Sequence, residues 1–172
     1  MSQIPNLEIK SVFQKEVLGN WGKMFTGTVL KHFEIALCTG NETLFQDTLF
    51  DFLLNSVSCL DTAQENFYHG MVLGMLSMFS DAYIITSNRE AGEGRFDIQL
   101  EPRDKSKPGY LLEFKADKDI DVQEMEERAS EALQQIKEKS YAADLKYRGV
   151  KEIISYGIAF SGKKACVKCE KY

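Results

Sequence analysis

The first 80 residues of the chain place apolar side chains at helical spacing. A stripe of apolar residues three or four apart follows Pro5, and the run from Met24 to Leu37 continues it. Gly40-Asn41 interrupts the pattern, and a further helix is predicted from Asn41 to about Leu54. The next segment, from residue 62 or 63 to about Ser80, is apolar on most of its circumference, so we expect a buried central helix.

The period then changes from helical to the alternation typical of strands. Short runs rich in β-branched and aromatic residues are bounded by Gly, Pro and polar clusters. The pattern predicts strands over 83–86, 95–100 and 110–115, a helix over 121–141, and a hairpin of strands 152–160 and 163–168 around Ser161-Gly162. Helices, three strands, a helix and two more strands predict an α/β fold.

Three charged side chains fall on neighbouring strands of this pattern. Since alternate residues of a strand point to the same side, Asp97 is expected to share one face with Glu113 and Lys115. The other face is predicted to be apolar and to carry Phe96, Ile98, Leu100, Leu112 and Phe114. Two carboxylates and an ammonium in a half-buried setting are costly unless a divalent cation or tight ion pairing compensates. A cross-strand salt bridge on a solvated face is the plainer alternative.

Composition changes this picture little. A hydrophobic fraction of 44% and a charged fraction of 27% are ordinary for one globular domain of 172 residues. No apolar run is long enough for a membrane span, and the N-terminus has no signal-peptide pattern, so a cytoplasmic location is expected.

The four cysteines are expected to be reduced thiols, as is usual in that compartment. Cys166 and Cys169 have the spacing of half a zinc site, but strand alternation would point their sulfurs to opposite faces.

The net charge of −5 argues against a protein that coats nucleic acid, since phosphate binding favours clustered Lys and Arg. A metal-dependent site built from carboxylates is compatible with an acidic chain if its basic groups are local. Seven residues could line a rim that faces nucleic acid, although each is also an ordinary surface charge: Arg103, Lys105, Lys107, Arg148, Lys151, Lys163 and Lys164.

An Asp followed by Glu-x-Lys on the next strand is the signature of the PD-(D/E)XK nuclease superfamily, which this chain resembles. Phe96 stands where the superfamily has its leading Pro, and the carboxylate of Asp97 is kept. Further segments resemble the C-terminal nuclease-like domain of bacterial proteins that carry an N-terminal ATPase-like domain: Ile4–Glu8, Glu65–His69, Ser87–Glu90, Gly92–Asp97, Gln135-Ile136 and Tyr156–Phe160. A phosphate-binding Gly-x-x-x-x-Gly-Lys-Ser/Thr motif is missing, so the chain is expected to be a stand-alone version or a fragment of a longer protein.

The resemblance implies a restriction-endonuclease-like core, a central mixed sheet flanked by helices, with an N-terminal helical segment. The expected division is a helical segment over 1–60 and a nuclease-like domain over 61–172. It also implies metal-dependent hydrolysis of phosphodiester bonds in DNA, with Mg²⁺ or Mn²⁺ held by Glu65, Asp97 and Glu113. Lys115 would be the catalytic cation, and Gln135 would hold phosphate or water. Glu65 has an alternative role as a helix N-terminal charge.

Supporting residues are expected around this constellation. His69, one turn after Glu65, is assigned to a structural or indirect role at the metal site, and Tyr141 to a phosphate contact together with Gln135. Arg95 would contact phosphate or pair with Glu90.

A different class of function stays open, namely an inactive nuclease fold that serves as a recognition or regulatory module for an ATPase domain, in cis or in trans. Dimers are frequent among such nucleases, but the sequence specifies no interface.

Overall fold

A computed structural model describes residues 27–56, 65–91 and 94–172, without the side chains of residues 56, 65, 88–91, 94 and 95. The predicted helix after Pro5, residues 57–64 and residues 92–93 lie outside the described residues. The predicted boundary between residues 60 and 61 also falls there, so the two-part division stays a prediction.

Five helices and five strands make up the described chain. The helices are α1 (Gly27–Thr39), α2 (Glu42–Ser56), α3 (Glu65–Leu76), α4 (Val122–Glu138) and α5 (Ala142–Tyr147), with a 3₁₀ turn at Ser77–Phe79 after α3. The strands are β1 (Tyr83–Ala91), β2 (Gly94–Pro102), β3 (Gly109–Ala116), β4 (Ile153–Ser161) and β5 (Lys164–Lys171). The pattern predicted the strands and the long helices, but β1 extends five residues past its predicted end and α5 was not predicted.

The strands form one mixed sheet in the order β1-β2-β3-β4-β5. Only β3 and β4 run parallel, and α4 and α5 form the connection between them, because a parallel pair needs a crossover too long for a tight turn. The other neighbours are antiparallel. This is the expected α/β architecture: a central mixed sheet flanked by helices, with a helical segment before it.

Helices cover both faces of the sheet. On one face α1, α2 and α3 pack on alternate residues of β3 and β4, among them Leu112, Phe114 and Tyr156. On the other face α4 and α5 pack on the intervening residues, such as Leu111 and Ala159. Since the N-terminal helices share their apolar cluster with the strands, they are built into the core of the sheet rather than appended to it.

Local sequence signals set the ends of two helices. Gly40 has φ +72°, which glycine adopts without the steric cost of a Cβ, and the Asn41 side chain accepts a hydrogen bond from Leu44 N at the start of α2. Asp121 and Glu124 form a reciprocal capping box at the start of α4. These contacts explain why the predicted helix boundaries are close to the observed ones.

The two cysteines of β5 lie on opposite faces, as alternation predicts. Cys166 packs under α4, whereas Cys169 packs against the cluster of the N-terminal helices. Within the described ranges, no helix is both long enough and apolar enough to cross a membrane.

Candidate active site

The sheet opens between β2 and β3 next to Asp97. The two strands pair over residues 98–100 and 110–112, and the pairing stops there. At the opening, Phe114 N donates a hydrogen bond to Asp97 Oδ2 at 2.8 Å, so a side chain takes the donor that a ladder partner would otherwise use. The carboxylate therefore lies against the backbone of β3, one residue from Glu113.

The prediction that Phe96 faces the same side as Ile98 and Leu100 is wrong. Ile98 and Leu100 belong to the cluster under the N-terminal helices, but Phe96 packs on the α4 side with Leu111 and Tyr141. Phe96 lies beyond the last β2–β3 pair, where β2 stays paired with β1 alone. Asp97 lies near α3, while Glu113 and Lys115 contact α4, and the three charges lie around the opening rather than on one flat face.

Asp97 is a partly buried carboxylate that faces a histidine. Its side chain is 17% exposed, and His69 Nδ1 is 4.0 Å from Oδ1. Burial raises the pKa of Asp97 above its ordinary value, and it outweighs the lowering effects of the Phe114 N–H, His69 and Lys115. A positive ligand at this position would favour the ionised form.

On the α4 side, Gln135 links Glu113 to Lys115. Lys115 Nζ donates to Gln135 Oε1 at 2.8 Å, and Gln135 Nε2 donates to Glu113 Oε1. Glu113 is only 3% exposed, so its charge depends on such donors. The amide therefore holds a carboxylate and an ammonium side by side at the end of β3 without a direct ion pair being required.

Gly157 allows α4 to come close enough for this contact. It lies directly opposite Glu113 in the β3–β4 ladder. A Cβ at this position would lie 2.1 Å from Ala129 O and 2.5 Å from Leu133 N, both backbone atoms of α4. Only a residue without a side chain fits there, and the position of Gln135 over β3 follows from it. The sequence pattern contained no signal for this role.

On the α3 side, His69 is held between two strands. Its Nε2 is 3.0 Å from Ser87 Oγ on β1, and its ring packs edge-on against Phe114 of β3. Ser87 was not among the predicted site residues, and its only signal was membership of the Ser87–Glu90 segment. Glu65 begins α3 one turn earlier, but its side chain lies outside the described part, so its role as a ligand stays a prediction.

The remaining predicted residues lie around the opening at different depths. Arg95 lies opposite Glu90 in the β1–β2 ladder, but the side chains of both are outside the described part, so pairing with Glu90 and contact with phosphate both stay predictions. Tyr141 is 1% exposed and packs edge-on against Phe96. Its buried ring supports the residue next to Asp97, and a contact with phosphate stays a prediction.

The seven basic residues do not form one rim. Lys163 and Lys164 are at the β4–β5 turn, at the same end of the sheet as Lys115, because β3 and β4 run parallel. The other five, which are Arg103, Lys105, Lys107, Arg148 and Lys151, lie at the opposite end. Two of these five are engaged by acidic residues: Lys105 and Arg148 both pair with Glu101.

Comparison with known proteins gives one assignment. The family model of the PD-(D/E)XK nuclease superfamily matches residues 63–170, which include all the site residues named above. Among curated proteins, none matches the chain. The match covers more than half of the sequence and includes residues of all five strands, and it agrees with the mixed α/β architecture and with the Asp97, Glu113 and Lys115 motif. The chain therefore belongs to the PD-(D/E)XK nuclease superfamily.

Proposed function

We propose that the chain is a metal-dependent nuclease that hydrolyses phosphodiester bonds in DNA at the opening between β2 and β3. The observation that carries the proposal is the linked set Glu113–Gln135–Lys115, next to a half-buried Asp97, in a member of this superfamily. It places two carboxylates and one ammonium around the same stretch of β3.

The donor chemistry fits a hard divalent cation. Asp97 and Glu113 offer carboxylate oxygens, which Mg²⁺ and Mn²⁺ prefer, and Mg²⁺ commonly keeps several waters beside one or two protein carboxylates. The raised pKa of Asp97 supports the fit, since a cation would offset the cost of its buried charge. The described side chains include no group of three His, Cys, Asp or Glu that could hold a metal. The proposed third ligand, Glu65, is not among those side chains.

Each residue has a proposed role that follows from its contacts. Asp97 and Glu113 would hold the cation, which when bound supplies charge stabilisation at the phosphate and a more acidic water. Lys115 is half-buried and positioned by Gln135, so its ammonium can stabilise the negative charge that develops on the phosphate. Gln135 orients Glu113 and Lys115 together. His69, Arg95 and Tyr141 are proposed to support Asp97 or contact phosphate.

The distribution of charge supports an approach of DNA from the β4–β5 side. Lys163 and Lys164 share the end of the sheet that carries Lys115, whereas the exposed face of α4 carries Glu127 and Glu131. A phosphate backbone would be repelled by that face of α4 and attracted by the turn.

Plasmid and linear DNA incubated with Mg²⁺ or Mn²⁺ test the proposal. We expect cleavage by the wild type, no cleavage in EDTA, and loss of cleavage in Asp97→Asn and Lys115→Ala. The matched controls are Asp81→Asn and Lys151→Ala, which change exposed residues of the same type at the far end of the sheet. Undiminished cleavage by both site variants would show that a contaminating nuclease or another site is responsible.

The alternative is an inactive nuclease fold that serves as a recognition or regulatory module for an ATPase domain, in cis or in trans. Calorimetry separates the two functions. Binding of Mn²⁺ that is lost in Asp97→Asn, together with cleavage, supports the nuclease. DNA binding without Mn²⁺ binding or cleavage on any substrate would favour the module.

A further inference from the structure

A serine with no role in the proposed reaction contacts the imidazole that faces Asp97. Ser87 Oγ on β1 is 3.0 Å from His69 Nε2, and His69 Nδ1 is 4.0 Å from Asp97 Oδ1. The three side chains come from β1, α3 and β2, so the tertiary structure alone brings them together.

The imidazole has little freedom to choose other partners. Its side chain is 11% exposed, and its ring packs against Phe114 with centroids 5.7 Å apart and planes at 68°. The two ring nitrogens therefore face different groups, a hydroxyl on one side and a carboxylate on the other. A hydroxyl can donate or accept, whereas an ionised carboxylate only accepts.

This asymmetry selects one neutral tautomer. If Nε2 carried the proton, it would donate to Ser87 Oγ, and the lone pair of Nδ1 would face the negative charge of Asp97. If Ser87 donates its O–H to Nε2, the proton is on Nδ1 and the N–H points at Asp97 Oδ1, which is the electrostatically favourable arrangement.

We infer that Ser87 is a positioning residue that holds His69 in the Nδ1–H tautomer and so orients Asp97. Oδ2 of Asp97 accepts a hydrogen bond from Phe114 N, and in this tautomer the His69 N–H faces Oδ1 across 4.0 Å. The favourable charge–dipole interaction at that distance orients the carboxylate toward the imidazole without a direct hydrogen bond. The inference rests on the proposed function only where it concerns the cation.

Nitrogen NMR of the imidazoles tests the tautomer without metal or substrate. The chain has two histidines, and a His32→Gln variant assigns the signals. At a pH where both rings are neutral, we expect a pyrrole-type Nδ1 and a pyridine-type Nε2 for His69. Ser87→Ala should shift the population toward Nε2–H, and Ser87→Thr, which keeps the hydroxyl, should not. An Nε2–H tautomer in the wild type, or no shift in Ser87→Ala, would overturn the inference.

Mn²⁺ calorimetry tests the consequence for Asp97. We expect Ser87→Ala to weaken Mn²⁺ binding by about three- to tenfold, since Ser87 acts on the carboxylate through His69, and Ser87→Thr to restore it. Ser130→Ala is the matched control, because the Ser130 hydroxyl bonds only within α4. Equal Mn²⁺ affinity in the wild type and Ser87→Ala would refute the positioning role and leave the proposed nuclease intact. If the wild type binds no Mn²⁺ but has the Nδ1–H tautomer, and Ser87→Ala shifts it, the metal-dependent nuclease is refuted and the tautomer assignment stands.

Discussion

Gly157→Ala is expected to separate α4 from the sheet and loosen the candidate site. The new Cβ would lie 2.1 Å from Ala129 O, 2.5 Å from Leu133 N and 2.9 Å from Leu133 Cβ. The first two are backbone atoms of α4, so no change of rotamer can relieve the contact. An ordinary van der Waals separation is about 3.5 Å, so the helix must retreat by roughly 1.4 Å from its present 2.1 Å approach.

The magnitude follows from this overpacking. Inserting one carbon into a well-packed core costs about 1–3 kcal/mol. For a domain of 150–250 residues, 1 kcal/mol corresponds to roughly 2–4 °C in Tm, so the expected loss is about 2–12 °C. The same retreat would lengthen the 2.8 Å contact between Lys115 Nζ and Gln135 Oε1 beyond hydrogen-bonding range. We therefore also expect Mn²⁺ affinity to fall by about tenfold, as for other losses of groups that orient metal ligands.

Thermal unfolding followed by circular dichroism, with Mn²⁺ calorimetry on the folded variant, measures both effects. Gly70→Ala is the control, since Gly70 lies in α3, its φ is not positive, and a Cβ added there would meet no heavy atom within 4 Å outside its own helix backbone and chain neighbours. Alanine favours a helix over glycine, so this variant should be more stable by about 0.5–1 kcal/mol. A Tm of Gly157→Ala equal to that of the wild type would refute the argument that Gly157 sets the approach of α4.

Three further predictions concern single contacts. Gln135→Leu should reduce both the cleavage rate and the Mn²⁺ affinity by about tenfold or more, because Glu113 loses its amide donor. An unchanged cleavage rate in a kinetic assay would show that the link from Lys115 through Gln135 to Glu113 is not needed for activity. Because its folded pKa is raised, Asp97 contributes stability that is fully present below its unfolded pKa and lost as pH rises through the folded pKa. The amide of Asp97→Asn can still accept a hydrogen bond from Phe114 N, so this variant should have a higher Tm than the wild type at neutral pH in EDTA. The difference in Tm should shrink on acidification, and a lower Tm of the variant at neutral pH would contradict the burial argument. Asp121→Ala should cost about 0.5–2 kcal/mol in a denaturant titration by removing the α4 cap, and an unchanged midpoint would show that packing alone fixes the start of the helix.

Much of the fold could be predicted because its signals are local. Alternation fixed the faces of β3, where Leu112 and Phe114 lie in the core and Glu113 and Lys115 contact α4. The Gly40-Asn41 break and the Asp121 cap are also local, since they depend on backbone groups a few residues away.

The site could be predicted in part for the same reason. Glu113, Gln135 and Lys115 do meet, at the site where the resemblance to the superfamily led us to expect all three. Alternation failed at Phe96, which lies beyond the last β2–β3 pair, where the Asp97 side chain rather than a ladder partner contacts Phe114 N.

By itself, then, the sequence determined the elements, the superfamily motif and the identity of the charged groups, since these follow from side-chain period and spacing. Only the tertiary structure decided which groups meet. Four features depend on residues that are distant in sequence. They are the opening between β2 and β3, the approach of α4 over Gly157, the contact of Ser87 with His69, and the division of the basic residues between the two ends of the sheet. Their distances are set by the packing of whole helices and strands, which no local pattern records.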